Sequence, residues 1–358
     1  MTNLTEASIE IIRAGQSSSG GYAACASFSQ YGYSWLRDGT WIAYAMAAAG
    51  ETSSAEAFHR WAARTLLSHE GKVERLLAKL ERGERLEEAD YLPTRFTLDG
   101  AIGSDDWTEF QLDGYGTWLW GAVQFCAGKP ELWAALRPAI ALTVRYLAAL
   151  WQSPNYDCWE EHRTQIHTAT LAAIYGGLTA VRSVDAALVP DGLPERIRAF
   201  TFEKCVAPEG HFVKFIGNPE VDASLLWVAL PYRVVEISDP RFVATLAKIE
   251  RDIHRPGGGV YRFRADTYFG GGEWLLLTAW LGWVYAELGR IDEARALKAW
   301  VEAQALPNGQ MPEQVDTHAL DRTHIAPWIA KWGTSACPLL WSHAMWLILD
   351  LRLKTVSG

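Results

Sequence analysis

The chain lacks the features that would tie it to a membrane, to nucleic acid or to a disulfide scaffold. No stretch approaches the ~20 uncharged apolar residues of a spanning helix, and the N-terminus, MTNLTEASIEIIRAG, has neither the basic start nor the apolar run of a signal peptide. Lys plus Arg number 33 against 42 Asp plus Glu, a formal net charge of −9, and no segment gathers a basic patch. No nucleic acid and no membrane are therefore expected as partners, and the expected location is cytoplasmic. The five cysteines, Cys25, Cys126, Cys158, Cys205 and Cys337, are odd in number, scattered and without a Cys-x-x-Cys pair, which argues against a disulfide framework or a zinc site. Alternating β-branched runs are scarce, and no Pro-, Gly- or Ser-rich linker divides the chain. A single domain over residues 1–358 is expected, although length alone suggests about two. What the sequence has in excess is tryptophan, eighteen against four methionines. A hydrophobic core does not require that much indole, so part of it points to a flat, amphipathic ligand.

Apolar residues recur at helical spacing through most of the chain, which makes it all-α. The spacing predicts helices over 4–14, 37–49, 52–68, 115–127, 130–150, 163–182, 192–204, 221–230, 239–254, 273–288, 291–304 and 335–353, with a further charged one over 71–89. Short turns at Gly50-Glu51-Thr52, Gly128-Lys129-Pro130 and Gly289-Arg290-Ile291-Asp292, and a link near Ile237 to Pro240, join pairs of these helices as antiparallel hairpins. Long segments at 84–114, 151–162, 205–220, 255–272 and 305–334 separate the hairpins, and loops of such length are usually functional. If the hairpins stand in a ring, the short turns fall on one rim and the long loops on the other. Six pairs close as an (α/α)6 barrel when helix 4–14 pairs with helix 335–353. A linear solenoid is the rival arrangement, but no repeat of fixed period supports it.

The polar and aromatic clusters lie in those long loops or at the start of the helix that follows. Tyr33-Ser34-Trp35-Leu36-Arg37-Asp38 sets a donor fork beside an acceptor, which suits vicinal hydroxyls; the plainer reading is a surface Arg and an Asp favoured by a helix dipole. Tyr156-Asp157-Cys158-Trp159-Glu160-Glu161 places a carboxyl beside indole, where its neutral form is favoured; the plainer reading is a pair of acids at the N-terminus of helix 163–182. Asp105-Asp106-Trp107 lacks the phosphate cradle of a diphosphate-Mg²⁺ site. Gly270-Gly271-Gly272 lacks the Gly-Lys-Ser/Thr ending of a phosphate loop. Pro312-Glu313-Gln314 would ordinarily be a solvated loop. No His-Glu-x-x-His or Gly-x-Ser-x-Gly is present, so metallohydrolase and serine-hydrolase readings lack support. The nine histidines, among them His162, His167, His324 and His343, are read as hydrogen-bonding residues of helix ends and loops. Two carboxylates delivered to one rim amid Trp, Arg and Asp form a glycosidase constellation.

In order and spacing, five motifs resemble the family 15 glycoside hydrolases, the glucoamylase family, from about Tyr31 to Asp350. They are Tyr33 to Asp38, Trp107 with Asp113-Gly114, Tyr156 to Glu161, Arg262 with Asp266-Thr267-Tyr268 and Trp274, and Met311-Pro312-Glu313-Gln314. The resemblance implies an (α/α)6 barrel and inverting hydrolysis that releases β-D-glucose from a non-reducing end, with Glu160 as general acid and Glu313 as general base. Such a pair stands roughly 6.5–9.5 Å apart to admit a water. By position it implies substrate contacts from Arg37, Asp38, Trp107, Trp159, Glu161, Arg262 and Trp274, with Tyr33 and Trp35 on the floor of the glucose pocket. No cofactor and no metal are implied. Fungal-type members carry Asn and Pro before the tryptophan where this chain has Gly272-Glu273, and Arg where it has Leu112; both changes are expected near the second sugar. No N-terminal β-sandwich and no starch-binding module are expected, since the barrel takes up the chain. The preferred substrate is a short α-1,6-glucoside such as isomaltose, as the likeness to small bacterial isomaltose glucohydrolases suggests, with maltose or trehalose as alternatives. An (α/α)6 sugar epimerase and a non-catalytic sugar-binding protein are the readings of another class.

Overall fold

A computed structural model describes residues 3–356, and helices dominate it. In chain order they are α1 (Leu4–Ala14), α2 (Leu36–Ala48), α3 (Thr52–Ser68), α4 (Glu70–Glu81), α5 (Asp113–Cys126), α6 (Pro130–Leu150), α7 (Thr168–Val184), α8 (Leu193–Lys204), α9 (Pro240–Asp252), α10 (Leu275–Glu287), α11 (Ile291–Ala303), α12 (Ile325–Trp332) and α13 (Leu340–Val356). A 3-10 segment, Ala223–Val228, lies between α8 and α9. Short 3-10 turns lie in other loops, and four two-residue strands pair antiparallel: β1 (Ser34–Trp35) with β2 (Arg95–Phe96), and β3 (Glu273–Trp274) with β4 (Gln314–Val315).

Six elements pack in a closed inner ring: α2 on α5, α5 on α7, α7 on the 3-10 segment, that segment on α10, α10 on α13, and α13 back on α2. Outside them lie α3, α6, α8, α9 and α11, each hairpinned to the inner element before it, while α1 covers α13. This is an (α/α)6 barrel. Its first and last helices are joined by the buried contact of Ser8 Oγ with His343 Nδ1 at 2.9 Å. Among the described residues no helix is long and apolar enough to cross a membrane.

The inner elements are apolar around their whole circumference, as helices enclosed on every side must be; Leu275 to Ala286 of α10 are all buried. Indoles fill the middle of the ring. Trp41 meets Trp280 edge-on with centroids 4.5 Å apart, and Trp280 lies 5.3 Å from Trp227. The closest helix approach is bought with glycine: a Cβ on Gly116 of α5 would stand 2.5 Å from the backbone of Ala173 of α7, and one on Gly177 would stand 2.3 Å from the Gly116 carbonyl. The short turns at Gly50, Gly128 and Gly289 adopt positive φ, the ordinary way to end a helix.

Several predicted boundaries are corrected. Helix 163–182 begins only at Thr168, because residues 157–161 wrap into a turn around the Asp157 carboxylate. The span 221–230 holds a six-residue 3-10 segment, started by Asp222, whose side chain accepts from Ser224 N. Residues 273–274 are strand before α10, the charged helix stops at Glu81, and the last helix starts at Leu340. The long segment 305–334 contains an unforeseen helix, α12.

Candidate active site

Because every inner element is entered from a long loop, the N-terminal ends of the inner ring share one rim. The positive ends of several helix dipoles therefore face the same space, an environment suited to carboxylates. A cavity of about 270 Å³ opens there.

On its floor, α2 supplies Arg37 and Asp38 from its first turn, both buried. The Arg37 Nη1 donates to Gln111 Oε1 at 3.0 Å and to Asp113 Oδ2 at 2.9 Å, while its Nε lies 3.5 Å from Asp38. A surface Arg and a solvated helix-start Asp are thereby excluded. Burial pushes the Asp38 carboxyl up to about 6, against the pull of Arg37. The Asp38 Oδ2 and the Arg37 Nε are buried without a protein hydrogen-bond partner, and both residues line the cavity. A carboxylate beside a guanidinium on the cavity wall is what a ligand with adjacent hydroxyls would engage.

Glu160 approaches from the α6–α7 loop. Its φ is +68°, a conformation that costs a non-glycine residue about 1–3 kcal/mol unless the surroundings hold it. They do. Asp157 Oδ1 accepts from the backbone N–H of Trp159 at 3.0 Å and of Glu161 at 2.9 Å, and Glu160 N donates to the Asp157 carbonyl at 2.9 Å. Lys214, buried between Asp157 (3.4 Å) and Asp222 (3.0 Å), braces the turn from below, and Asp222 in turn accepts from Trp159 Nε1 at 3.0 Å. The side chain thus presented accepts a hydrogen bond from Trp35 Nε1 at 2.9 Å. Desolvation raises the Glu160 pKa, opposed by Arg37 and by the polar groups of Trp107, Trp35 and Gln111. A carboxyl with its neutral form favoured is equipped to donate a proton.

Glu313 comes from the loop between α11 and α12 and is only 4% exposed, so it is no solvated loop charge. Its backbone is pinned on both sides, N–H to the Ala336 carbonyl at 2.8 Å and carbonyl to Leu275 N at 3.3 Å. Tyr31 Oη donates to Glu313 Oε1 at 3.2 Å and meets Tyr268 Oη at 2.5 Å. Burial pushes the Glu313 carboxyl up to about 8, while Arg262 and the two phenols oppose the shift. Arg262, 1% exposed, is tied to Asp266 by two hydrogen bonds of 2.7 and 2.5 Å and to Glu161 Oε1 at 3.1 Å. Its guanidinium lies 5.6 Å from the Trp159 ring centroid and 5.3 Å from that of Trp274.

Of the residues singled out from the sequence, Trp35, Arg37, Asp38, Trp107, Trp159, Glu160, Arg262, Trp274 and Glu313 line this one cavity. Two do not. Tyr33 is displaced outward: its hydroxyl donates to Asp105 at 2.6 Å and its ring covers Arg95 at 4.0 Å, so it is not on the pocket floor. Glu161 is half-buried outside the lining and reaches the cavity only through Arg262. The departures at Glu273 and Leu112 lie outside the cavity lining. Alternation along β3 sends Glu273 away from Trp274, to Arg255 Nε at 2.8 Å and Gly259 N at 2.6 Å, and Leu112 is fully buried in the core.

Sequence reasoning missed Tyr31, Trp328, Trp332 and Trp341 of the lining. It also missed Arg95, completely buried between the rings of Tyr33 and Trp107, both at 4.0 Å, and bonded to the Gln30 carbonyl at 2.9 Å. The pairing of Trp35 with Arg95 across β1 and β2 fixes that stack. No local motif marks these residues; only the convergence of loops does.

Comparison with known proteins agrees with this geometry. The family described as Glycosyl hydrolases family 15 matches residues 4–349. An isomaltose glucohydrolase of Kribbella flavida is 43% identical over 348 residues, covering 95% of this chain and 89% of that protein. A glycosidase solved in complex with glucose superposes with a TM-score of 0.93 at 41% identity, covering 98% of this chain and 96% of the other. A glucoamylase of Saccharomycopsis fibuligera shares the fold at 13% identity, with a TM-score of 0.73 and coverage of 99% and 95%.

Proposed function

Since the chain belongs to glycosyl hydrolases family 15 and is a glycoside hydrolase, we propose that it removes glucose from isomaltose and short α-1,6-linked glucosides, acting with inversion through Glu160 and Glu313. The substrate follows the isomaltose glucohydrolase it resembles over nearly its whole length. The observation that carries the roles is the contrast in how the two carboxyls are held. Glu160 sits on a strained, braced turn beside the indole N–H of Trp35, whereas Glu313 receives the hydroxyl of Tyr31 in a closed niche.

On this reading the terminal glucose occupies the floor, its hydroxyls meeting Asp38 and Arg37 and its apolar face covered by indole. Glu160 gives its proton to the glycosidic oxygen as the bond from C1 breaks. A water held by Glu313 attacks C1 from the opposite face and loses its proton to that carboxylate, giving β-D-glucose and the free alcohol. Burial favours the neutral form of Glu313, and the carboxylate that this step consumes is supported by Arg262 and the Tyr31–Tyr268 pair, which pull the other way. Arg262 serves the site directly, Glu161 serves it through Arg262, and Tyr33 serves it through Arg95. We further propose that the barrel acts as one catalytic unit in the cytoplasm, consistent with the absence of a basic surface segment and of a membrane-spanning helix among the described residues.

Hydrolysis of a panel of isomaltose, maltose, trehalose, nigerose and kojibiose tests the substrate, and NMR of the first product tests the stereochemistry. Isomaltose is expected to lead in kcat/KM and β-glucose to appear first. A preference for maltose or trehalose overturns the linkage, and initial α-glucose overturns the mechanism. Glu313→Gln and Glu160→Gln should each abolish turnover of isomaltose while glucose still binds.

A further inference from the structure

Exposure divides the aromatic lining of the cavity into two sets. Trp35, Trp159, Trp274 and Trp341 are buried among Arg37, Asp38, Arg262 and Glu313. Phe28, Trp107, Tyr268, Trp328 and Trp332 are half-buried and so form the part of the wall nearest solvent. The second set is where the departing alcohol must lie, since the buried floor takes the terminal glucose.

The two halves differ in chemistry as well as depth. On the floor, the buried charged groups Arg37, Asp38, Arg262 and Glu313 line the cavity. At the mouth the polar complement is thin. The Tyr268 hydroxyl is engaged with Tyr31, the Trp328 indole N–H is itself buried, and besides the acid Glu160 the Gln30 amide is the polar side chain of that part of the lining. Trp328 is itself held edge-on against Tyr268, centroids 4.3 Å apart, so α12 offers a fixed aromatic wall. Hydroxyls turned to such a wall gain little from the protein and keep their bonds to water, whereas an apolar ring gains from every face it meets.

We propose that the leaving-group half of the pocket is built for an alcohol carrying an apolar ring, and that the chain hydrolyses aralkyl α-glucosides in addition to disaccharides. The proposal rests on the glucosidase reading above and extends it to a class of substrate. The reaction balances with water alone: the C1–O bond breaks as Glu160 protonates the alkoxy oxygen, water oxygen bonds to C1, and its proton passes to Glu313. The products are glucose and the free alcohol.

The test compares benzyl and 2-phenylethyl α-D-glucopyranoside with methyl α-D-glucopyranoside, with isomaltose run in parallel. All release primary alcohols, so differences report the mouth rather than the bond. The kcat/KM for the ring-bearing glucosides is expected to exceed that for the methyl glucoside by about tenfold, as one or two aromatic contacts would produce. Trp328→Ala and Trp332→Ala should shrink that ratio. Trp328→Phe should preserve most of it, which keeps the reading decisive if an alanine variant folds poorly. A ratio near unity in the wild type, with isomaltose cleaved, overturns the proposal and leaves the function standing. Cleavage of benzyl glucoside without isomaltose supports the proposal and overturns the disaccharide assignment. A ratio unaltered in both alanine variants overturns the role given to α12.

Discussion

Replacing Trp35 by Phe isolates the hydrogen bond that the candidate acid receives. The indole N–H donates to Glu160 Oε1 at 2.9 Å, and a donor to a carboxylate stabilises its ionised form. Phe keeps most of the ring and deletes the donor. A hydrogen bond to a charged group contributes about 1.5–3 kcal/mol, and each pKa unit corresponds to about 1.4 kcal/mol, so full loss would raise the Glu160 pKa by about 1–2 units. Glu160 is half-buried, and Arg37, Trp107 and Gln111 still act on it, so solvent and neighbours recover part of the loss. The expected displacement is about 1 unit. The sign is fixed: with the carboxylate less stabilised, the proton is retained to higher pH. In a profile of kcat/KM against pH, the limb set by Glu160 moves alkaline while the other holds. Trp274→Phe is the control, since the Trp274 Nε1 makes no hydrogen bond within the protein, and its limbs should stay in place. If both limbs of Trp35→Phe coincide with wild type, or if a limb moves acidic, the hydrogen bond does not tune the acid and the argument fails.

Other perturbations report other parts of the site. Asp38, held up to about 6 by burial, is ionised above that pH and protonated below it, so inhibition by free glucose should weaken as pH falls through about 6; Asp38→Asn should abolish the pH step in Ki. Lys214→Met leaves Asp157 and Asp222 facing each other without their cation, a change that costs about 3–5 kcal/mol for a buried pair. It should lower the denaturant midpoint and, in the folded fraction, reduce kcat more than it raises KM, because the acid's turn is loosened; a change confined to stability would show that the brace does not position Glu160. Trp227→Ala empties the centre of the ring and should cost about 3–5 kcal/mol in denaturant unfolding with little change in KM.

The barrel was legible because its signals are local. A glycine that ends a helix, a short turn and a long loop recur in alternation, and ring closure by α1 on α13 follows from that order. The errors fall where tertiary contacts override periodicity. Ala223 to Val228 is an apolar run that reads as an α-helix, yet it winds as a short 3-10 segment between α7 and α10. Glu160 to Arg163 has the acids of a helix start, yet the Asp157 carboxylate takes the backbone N–H groups that such a helix would have used. α12 is only eight residues long and carries Pro327 in its first turn, so its amphipathic pattern is too short for the window in which periodicity is read.

Within the site, the sequence carried the chemistry of residues but not their depth. Tyr33 and Trp35 are two apart on an extended segment, and parity places both toward Arg95, whose guanidinium lies 4.0 Å from one ring and 5.5 Å from the other. Parity does not say which of them stands nearer the axis. Tyr33 is the outer leaf of that stack and Trp35 the inner, so only Trp35 reaches Glu160, while the phenol on Glu313 comes from Tyr31 in the preceding turn. The same distinction divides the tryptophans. Trp41, Trp227 and Trp280 lie along the middle of the inner ring rather than between its two layers, and their excess is explained by the width of a six-element ring that only large side chains can fill. Trp341 belongs to both populations, since it packs at 6.3 Å on Trp227 and also faces Arg37 at 5.6 Å on the cavity floor. The indole core and the sugar site are therefore continuous, and a substitution that lets the core settle would shift the ring on which Arg37 rests.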